Sequence, residues 1–451
     1  MTELPEIELL HRAGADSGSL VRIPPAQSIV LTRRVRRLID TAPMRRLAGI
    51  SQLGMVSLVY PGAMHTRFEH TLGVYQNALH FLARFLGDPL AAPWLTESSC
   101  DAFILASLVH DLGHWPFCHP IEDMQLEDLP RHEQRVERLI GDGEIAECIS
   151  DDWRCNTKQV VDLLVGQKEP VETENDGTRF LASCLSGPID IDKLDYLQRD
   201  SLHCGVDYGR NFDAGRLISS LVVDPSTKRL AVGEKGRTAA EMMVFARYIM
   251  FSEVYWHHAV RSATAMLQRS VFLLHNRLDL TAALKLADAD WISLLRRTGQ
   301  GSLAEPMIEG LFGPRRVLFK RVAEFSVLSG AAIHQSVARR PYWWLVALCE
   351  VIADEVSRRS GVAVAPADVL VDAPPVKLEV DINTAVLFAD GRDATLGEVS
   401  PVVSVLAHQQ FDNFVKRVRV FVRPDLRERL KAQFPSSEHW SELLVECINR
   451  F

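Results

Sequence analysis

His110-Asp111-Leu112-Gly113-His114-Trp115-Pro116-Phe117-Cys118-His119 sets an adjacent His-Asp pair beside two further histidines in one short stretch. Imidazole and carboxylate together suit a transition metal, and additional imidazoles can move protons near neutral pH. Two other segments carry matching chemistry: Arg67-Phe68-Glu69-His70-Thr71-Leu72 upstream, and downstream the run from Asp190 through Asp192, Lys193, Asp195, Tyr196 and Arg199 to Asp200. In a helix His110 and His114 share a face, with Asp111 rotated by about 100° and able to approach the same ion from the side. Asp192, Tyr196 and Asp200 recur every four residues, so two carboxylates and a phenol form one stripe, with the Lys193 cation beside it. His70 opens a further helical pattern. Three helices could thus serve one pocket and leave coordination positions open for water and substrate, the mark of a catalytic metal.

A lone His-Asp dipeptide is usually a surface or satisfied polar pair. The coincidence of His70, His110, Asp111 and Asp192 with His114, His119 and His132 makes that bland explanation a poor one here. His80 and the pair His257-His258 read as core or surface histidines as readily as functional ones.

With 451 residues the chain exceeds what one hydrophobic core usually supports, and no apolar run approaches the roughly 20 residues of a membrane helix. The start, Met1 to Glu8, is acidic and lacks the pattern of a secretory signal, which gives a cytoplasmic expectation. Eight cysteines without a C-x-x-C pair argue against a zinc ribbon or a disulfide framework and read as reduced core thiols. A net charge of -8 offers no general attraction to nucleic acid. The basic run Arg33-Arg34-Val35-Arg36-Arg37 with Arg45-Arg46 reads as a solvated helix face or interface salt bridges before it reads as a phosphate-backbone contact.

Apolar residues recur at helical spacing through Leu72–Phe85, Phe103–Val109, Met242–Met250 and Trp343–Val351, so the first two-thirds read as a helical domain. Glycines, a serine and a proline between Arg297 and Pro306 mark a joint. Beyond it Leu378–Ile382 and Val418–Val422 alternate with period two, and Asp390-Gly391 predicts a hairpin turn. The fold expected is mainly α, a helical core with a smaller C-terminal α+β lobe. Its divisions are an N-terminal extension over 1–29, the helical domain over 30–296 and the lobe over 297–451.

From about Val30 onward the chain resembles the HD-domain dNTP triphosphohydrolases, bacterial dGTPase-like proteins and the HD domain of the vertebrate SAM-and-HD-domain enzyme, without a SAM domain. The resemblance is densest over Gln52-Leu53-Gly54, Tyr60–Ala63, Arg67–His70, His110–His119, His132-Glu133 and Asp190–Tyr196. It implies that His70, His110, Asp111 and Asp192 bind one divalent transition metal, with Fe, Mn, Zn and Ni all suited to two imidazoles and two carboxylates and Mg travelling with the nucleotide. By the same resemblance Arg67, Lys193 and Tyr196 contact the triphosphate and Asp200 meets the sugar 3′-hydroxyl. Gln52 and Leu53 line the sugar pocket against a 2′-hydroxyl, while His114, His119 and His132 handle protons and polarise phosphate. The implied reaction is attack of metal-activated water on the α-phosphorus of a deoxynucleoside triphosphate, releasing deoxynucleoside and inorganic triphosphate, with His119 protonating the leaving 5′-oxygen.

The pattern is not complete. Where the family carries a phosphate-binding arginine the aligned residue is Tyr248, and Arg247 falls one position earlier, a rotation of about 100°. Asp40, Arg216, Arg316 and Lys320 match a regulatory nucleotide site, whereas Arg45 and Ala48 replace guanine-reading side chains. A homo-oligomer, dimer or tetramer, is a family expectation. The alternative enzyme is an HD-type phosphodiesterase or nuclease acting on single-stranded DNA or another nucleotide phosphate ester. A nucleotide-sensing protein ranks lower, because an adaptor needs neither the ligands nor the histidines.

Overall fold

Thr66 and Thr96 each cap a helix: Thr66 Oγ1 accepts the Glu69 N–H at 3.4 Å, and Thr96 Oγ1 accepts that of Ser99 at 3.2 Å. Such caps satisfy donors that a first helical turn leaves without partners. They start the Arg67–Phe85 and Glu97–Val109 helices. The second is apolar nearly all round, as suits a helix enclosed by protein, and is buried from Cys100 to Val109. A third helix, Ile191–Cys204, begins at Asp190, whose Oδ1 accepts the Lys193 N–H at 2.7 Å, and stops at Gly205 with φ of 70°. The Arg67–Phe85 helix packs on both others, and Asn77 Nδ2 donates to the Ile191 carbonyl at 2.9 Å.

This computed structural model describes residues 4–12, 20–25, 27–127, 129–165, 175–375, 384–406 and 415–451. All four predicted helical stretches are helical, the third as far as Ile249 in the Arg237–Ile249 helix and the fourth within Tyr342–Ser360. Just beyond Ile249 the chain enters a π-helical turn, Met250–Tyr255. One local expectation needs correction. The helix carrying the motif ends at Val109, with His110 as its C-cap, so His110 and His114 do not share a helix face. Turn bonds from Leu112 N to the Val109 carbonyl (3.0 Å) and from His114 N to the Asp111 carbonyl (3.0 Å) replace the helical ladder. Gly113 permits the turn to pass close to the next helix, since a Cβ there would sit 2.0 Å from the His132 carbonyl oxygen.

The strands are β1 (Leu20–Ile23), β2 (Gln27–Val30), β3 (Leu221–Val223), β4 (Leu230–Gly233), β5 (Lys320–Phe325), β6 (Val369–Asp372), β7 (Ala385–Leu387), β8 (Asp393–Thr395) and β9 (Val418–Val422). β1 and β2 form a hairpin tied to the central helix, where Tyr75 Oη donates to the Val30 carbonyl at 3.0 Å. β5-β9-β6 is an antiparallel sheet, and β3-β4-β7-β8 contains one parallel pair, β4 with β7. β9 is the predicted Val418–Val422 strand, and the β7–β8 hairpin turns at Asp390-Gly391 with Gly391 at φ 85°. The predicted strand at Leu378–Ile382 lies outside the described residues.

The α+β lobe rests on its own core, with Val418, Val420 and Val422 of β9 packed among Leu348, Ile352, Leu443 and Leu444. β7 instead extends a sheet begun by β3 and β4, and Val386, Leu396 and Val403 join the main core. Leu4 and Ile7 also lie in that main core, where the buried Glu6 pairs with Arg34 at 2.6 Å.

Candidate active site

The three central helices bring His70, His110 and Asp192 together. His70 Nε2 is 3.3 Å from His110 Nε2 and 3.0 Å from Asp192 Oδ1, and all three donor atoms lie within 4.8 Å of one another. Each imidazole has its other nitrogen committed: His70 Nδ1 donates to Asp195 Oδ2 and His110 Nδ1 to the Ser107 carbonyl, both at 2.8 Å. Carboxylate and carbonyl oxygens only accept, so the Nε2 lone pairs are left for the shared centre, the arrangement typical of metal-binding histidines. Burial works against charge on His70, yet its bonds to Asp192 and Asp195 hold it protonated up to about 10. A metal ion would replace that Nε2 proton. These residues therefore fit a divalent ion.

Asp111 stands at the side of this group. Its Oδ1 is 3.6 Å from His110 Nε2 and its Oδ2 accepts from Arg67 Nη1 at 2.8 Å. Burial alone would favour the neutral acid, but His114, Arg67, His110 and His70 hold Asp111 well below the usual carboxylate range.

His114, His119 and His132 form a second cluster. The His114 ring is 3.9 Å from that of His132 and 5.0 Å from that of His119. Glu122 receives the His132 Nδ1 proton at 2.9 Å. Burial and then the Arg67 charge shift His114 and His119 below the ordinary imidazole range, while Asp111 opposes this at His114 and Glu122 at His119. By contrast 58% of the His119 side chain and 35% of that of Asp192 are exposed to solvent.

At the other end of the Ile191–Cys204 helix, Asp200 is bonded by His65 Nε2 at 2.8 Å and by Tyr255 Oη at 2.6 Å. The Gln52 N–H donates to the His65 carbonyl at 3.0 Å, which sets Gln52 beside the His65–Asp200 pair. Burial pushes the Tyr196 phenol up, and the charge of Arg247 opposes it. Lys193 Nζ is paired with Asp190 at 2.6 Å. Asp40, Arg216, Arg316 and Lys320 are exposed on separate elements, and among the described residues no hydrogen bond or ion pair joins any two of them.

Sequence reading missed the residues that orient this site. Asp195 stood in the quoted segment without a role, and it holds both His70 and the fully buried Arg199, whose Nη2 donates to Asp195 Oδ1 at 2.7 Å. Glu122, His65 and Tyr255 carried no signal, because each acts on a partner far away in the chain, apart from the nearby Glu122–His132 pair.

Helices that converge a His, a His-Asp pair and a downstream Asp on one centre define an HD-type fold. A family model described as the HD associated region matches residues 212–437, half of the chain. The chain belongs to the HD-domain phosphohydrolase family. It is similar to the uncharacterized protein YwfO of Bacillus subtilis, 34% identical over 237 residues, 51% of this chain and 50% of that protein. It is also similar to the human deoxynucleoside triphosphate triphosphohydrolase SAMHD1, 29% identical over 306 residues, 62% of this chain and 48% of that protein. The solved structure of a hypothetical protein from Aquifex aeolicus superposes with a TM-score of 0.70 at 28% identity, covering 92% of this chain and 99% of that one. The chain spans about half the length of the curated relatives it matches. Among the described residues no helix is long and apolar enough to cross a membrane.

Proposed function

We propose that the protein hydrolyses deoxynucleoside triphosphates to deoxynucleoside and inorganic triphosphate. The observation that carries this reading is the placement of Asp192 and Asp200 on one helix, about 12 Å apart along its axis. Asp192 sits in the metal nest, Asp200 in a polar cluster with His65 and Tyr255. That spacing suits a ligand with phosphate at one end and a hydroxyl-bearing ring at the other. A divalent ion held by His70, His110 and Asp192, with Asp111 beside them, supplies Lewis acidity toward a phosphate ester.

The remaining chemistry belongs to the chain. Arg67 Nε is buried without a partner, a donor available to a phosphate oxygen, and Gln52 Oε1 is a buried acceptor in the same condition beside the sugar pocket. Asp200, though bonded twice, retains acceptor capacity for a sugar hydroxyl. The His119 side chain is exposed and stands against His114, which faces Asp111; a polyanionic substrate would raise the affinity of its ring for a proton and fit it to protonate the leaving oxygen.

No comparable observation favours a nuclease. Arg34 is bound by Glu6 and Asp101, Arg37 by Asp151 and Asp152, and Arg46 Nη2 donates to the Leu112 and His114 carbonyls, so much of the basic run serves the fold.

Product analysis with each dNTP, each NTP and a labelled single-stranded oligonucleotide, beside an Asp111→Asn control, tests the proposal. Inorganic triphosphate and deoxynucleoside are expected from the wild-type protein alone. Pyrophosphate or monophosphate as product, or shortening of the oligonucleotide without dNTP turnover, would overturn it.

A further inference from the structure

The metal nest does not use the second histidine cluster. His114 is almost wholly buried; its Nδ1 faces Asp111, 3.2 Å from both Oδ1 and the backbone carbonyl, while its Nε2 is buried and has no hydrogen-bond partner. An unpartnered ring nitrogen in such a place costs free energy unless something binds it. His132 has Nδ1 held by both oxygens of Glu122, at 2.9 and 3.0 Å, so its Nε2 is again the free atom. One nitrogen from each of His114, His119 and His132 lies within 4.8 Å of the others.

A tetrahedral ion bound at about 2.0–2.1 Å holds its nitrogens roughly 3.4 Å apart, so a modest inward rotation of His119, the exposed member, would close the triad. The Glu122–His132 pair already has the form of a carboxylate orienting a metal-binding imidazole. Three imidazole nitrogens suit a borderline-soft divalent ion better than magnesium or calcium, which prefer oxygen.

We propose that His114, His119 and His132 form a second transition-metal site, distinct from the His70–His110–Asp192 nest, that takes zinc or a zinc-like ion. If those rings also handle protons in the reaction proposed above, filling this site would silence hydrolysis; the binding itself does not rest on that reading.

The experiment uses the full chain, stripped with chelator and titrated with Zn²⁺ or Co²⁺. Metal content after dialysis and the visible spectrum of bound Co²⁺ are the readouts. The expected result is a second equivalent of metal with a tetrahedral cobalt spectrum. It should be lost in His119→Ala and in His132→Ala, and kept in Asp192→Ala, which weakens the first site. His119 is exposed, so its replacement leaves the core intact, and thermal melting checks this. Saturation of the wild-type protein at one equivalent would overturn the proposal. So would retention of the second equivalent in both histidine variants, or a cobalt–thiolate band showing that Cys118, which forms an overlapping triad with Glu122 and His132, is the ligand instead. Because binding is read directly, a protein inactive on dNTPs can still pass this test, and a dNTP hydrolase can still fail it.

Discussion

Replacing Gly73 by alanine would test how the metal nest is held. The Gly73 position faces the Ile191–Cys204 helix, and a Cβ there would sit 1.9 Å from Asp195 Oδ1, 2.3 Å from Arg199 Nη2 and 2.5 Å from Asp195 Cγ. To restore ordinary contact the carboxylate must retreat by roughly 1.5 Å, given the 1.9 Å starting point. Asp195 cannot retreat alone. Its Oδ2 holds His70 Nδ1 and Arg199 Nε, both at 2.8 Å, and its Oδ1 holds Arg199 Nη2 at 2.7 Å. Arg199 is itself anchored by Glu69 Oε1 at 2.7 Å and the Pro24 carbonyl at 2.5 Å. Disrupting a buried pair of this kind costs about 3–5 kcal/mol, against a gain of about 0.5–1 kcal/mol from alanine in a helix, for a net loss of about 2–4.5 kcal/mol. Loss of the carboxylate that orients a metal-binding histidine typically lowers metal affinity by about 10–100-fold. The assay is metal titration of the stripped protein with thermal melting of the metal-free form, beside Asp195→Asn, which removes the charge without adding bulk. An alanine variant with wild-type metal affinity and melting temperature would refute the view that this close approach sets the nest.

Three further outcomes follow from the geometry. Tyr255→Phe removes a 2.6 Å bond to Asp200 and leaves the metal ligands untouched, so KM for a dNTP should rise about tenfold or more with metal content unchanged; an unaltered KM would separate Asp200 from substrate binding. Glu324 is held by Arg419, Arg417 and Arg321; burial opposes its charge, but the arginines bring its acid form down to about 2. A depressed carboxylate contributes stability that is fully present above its unfolded value of about 4.5 and is lost as pH falls toward 2, at most about 3 kcal/mol here. Urea denaturation between pH 6 and 3 should accordingly show a shallower loss for Glu324→Gln than for the wild-type protein, and equal slopes would contradict the pairing. Gly113→Ala should displace the His132 carbonyl, which a Cβ would approach to 2.0 Å, and lower turnover more than it lowers metal content at the first site; equal losses in both would show that the turn serves the nest instead.

All eight cysteines are free and buried, as their scattered spacing implied, and burial pushes every one of the thiol pKa values up. That outcome was legible because it depends on composition and on the absence of paired spacings. Helices were legible for a similar reason: threonine caps, apolar recurrence and the terminating Gly205 all act within a few residues. β9 and the Asp390-Gly391 turn obey rules of the same short range.

The boundary of the motif helix was less accessible. Spacing alone placed His110 and His114 on one face, but the helix stops at Val109 and the chain turns so that Gly113 passes close to the His132 carbonyl, and the two rings then serve different clusters. Likewise a row of arginines near the N-terminus carries no label saying whether its partners are phosphates or Glu6, Asp101, Asp151 and Asp152. The sequence by itself determined which side chains could hold a metal and that helices would present them. Only the tertiary structure decided that Asp195 orients His70, that His65 and Tyr255 grip Asp200, and that β7 returns to pair with β4. The physical reason is range: caps, periodicity and turns are local, whereas a hydrogen bond or a close helix approach joins residues whose separation along the chain leaves no imprint on either neighbourhood.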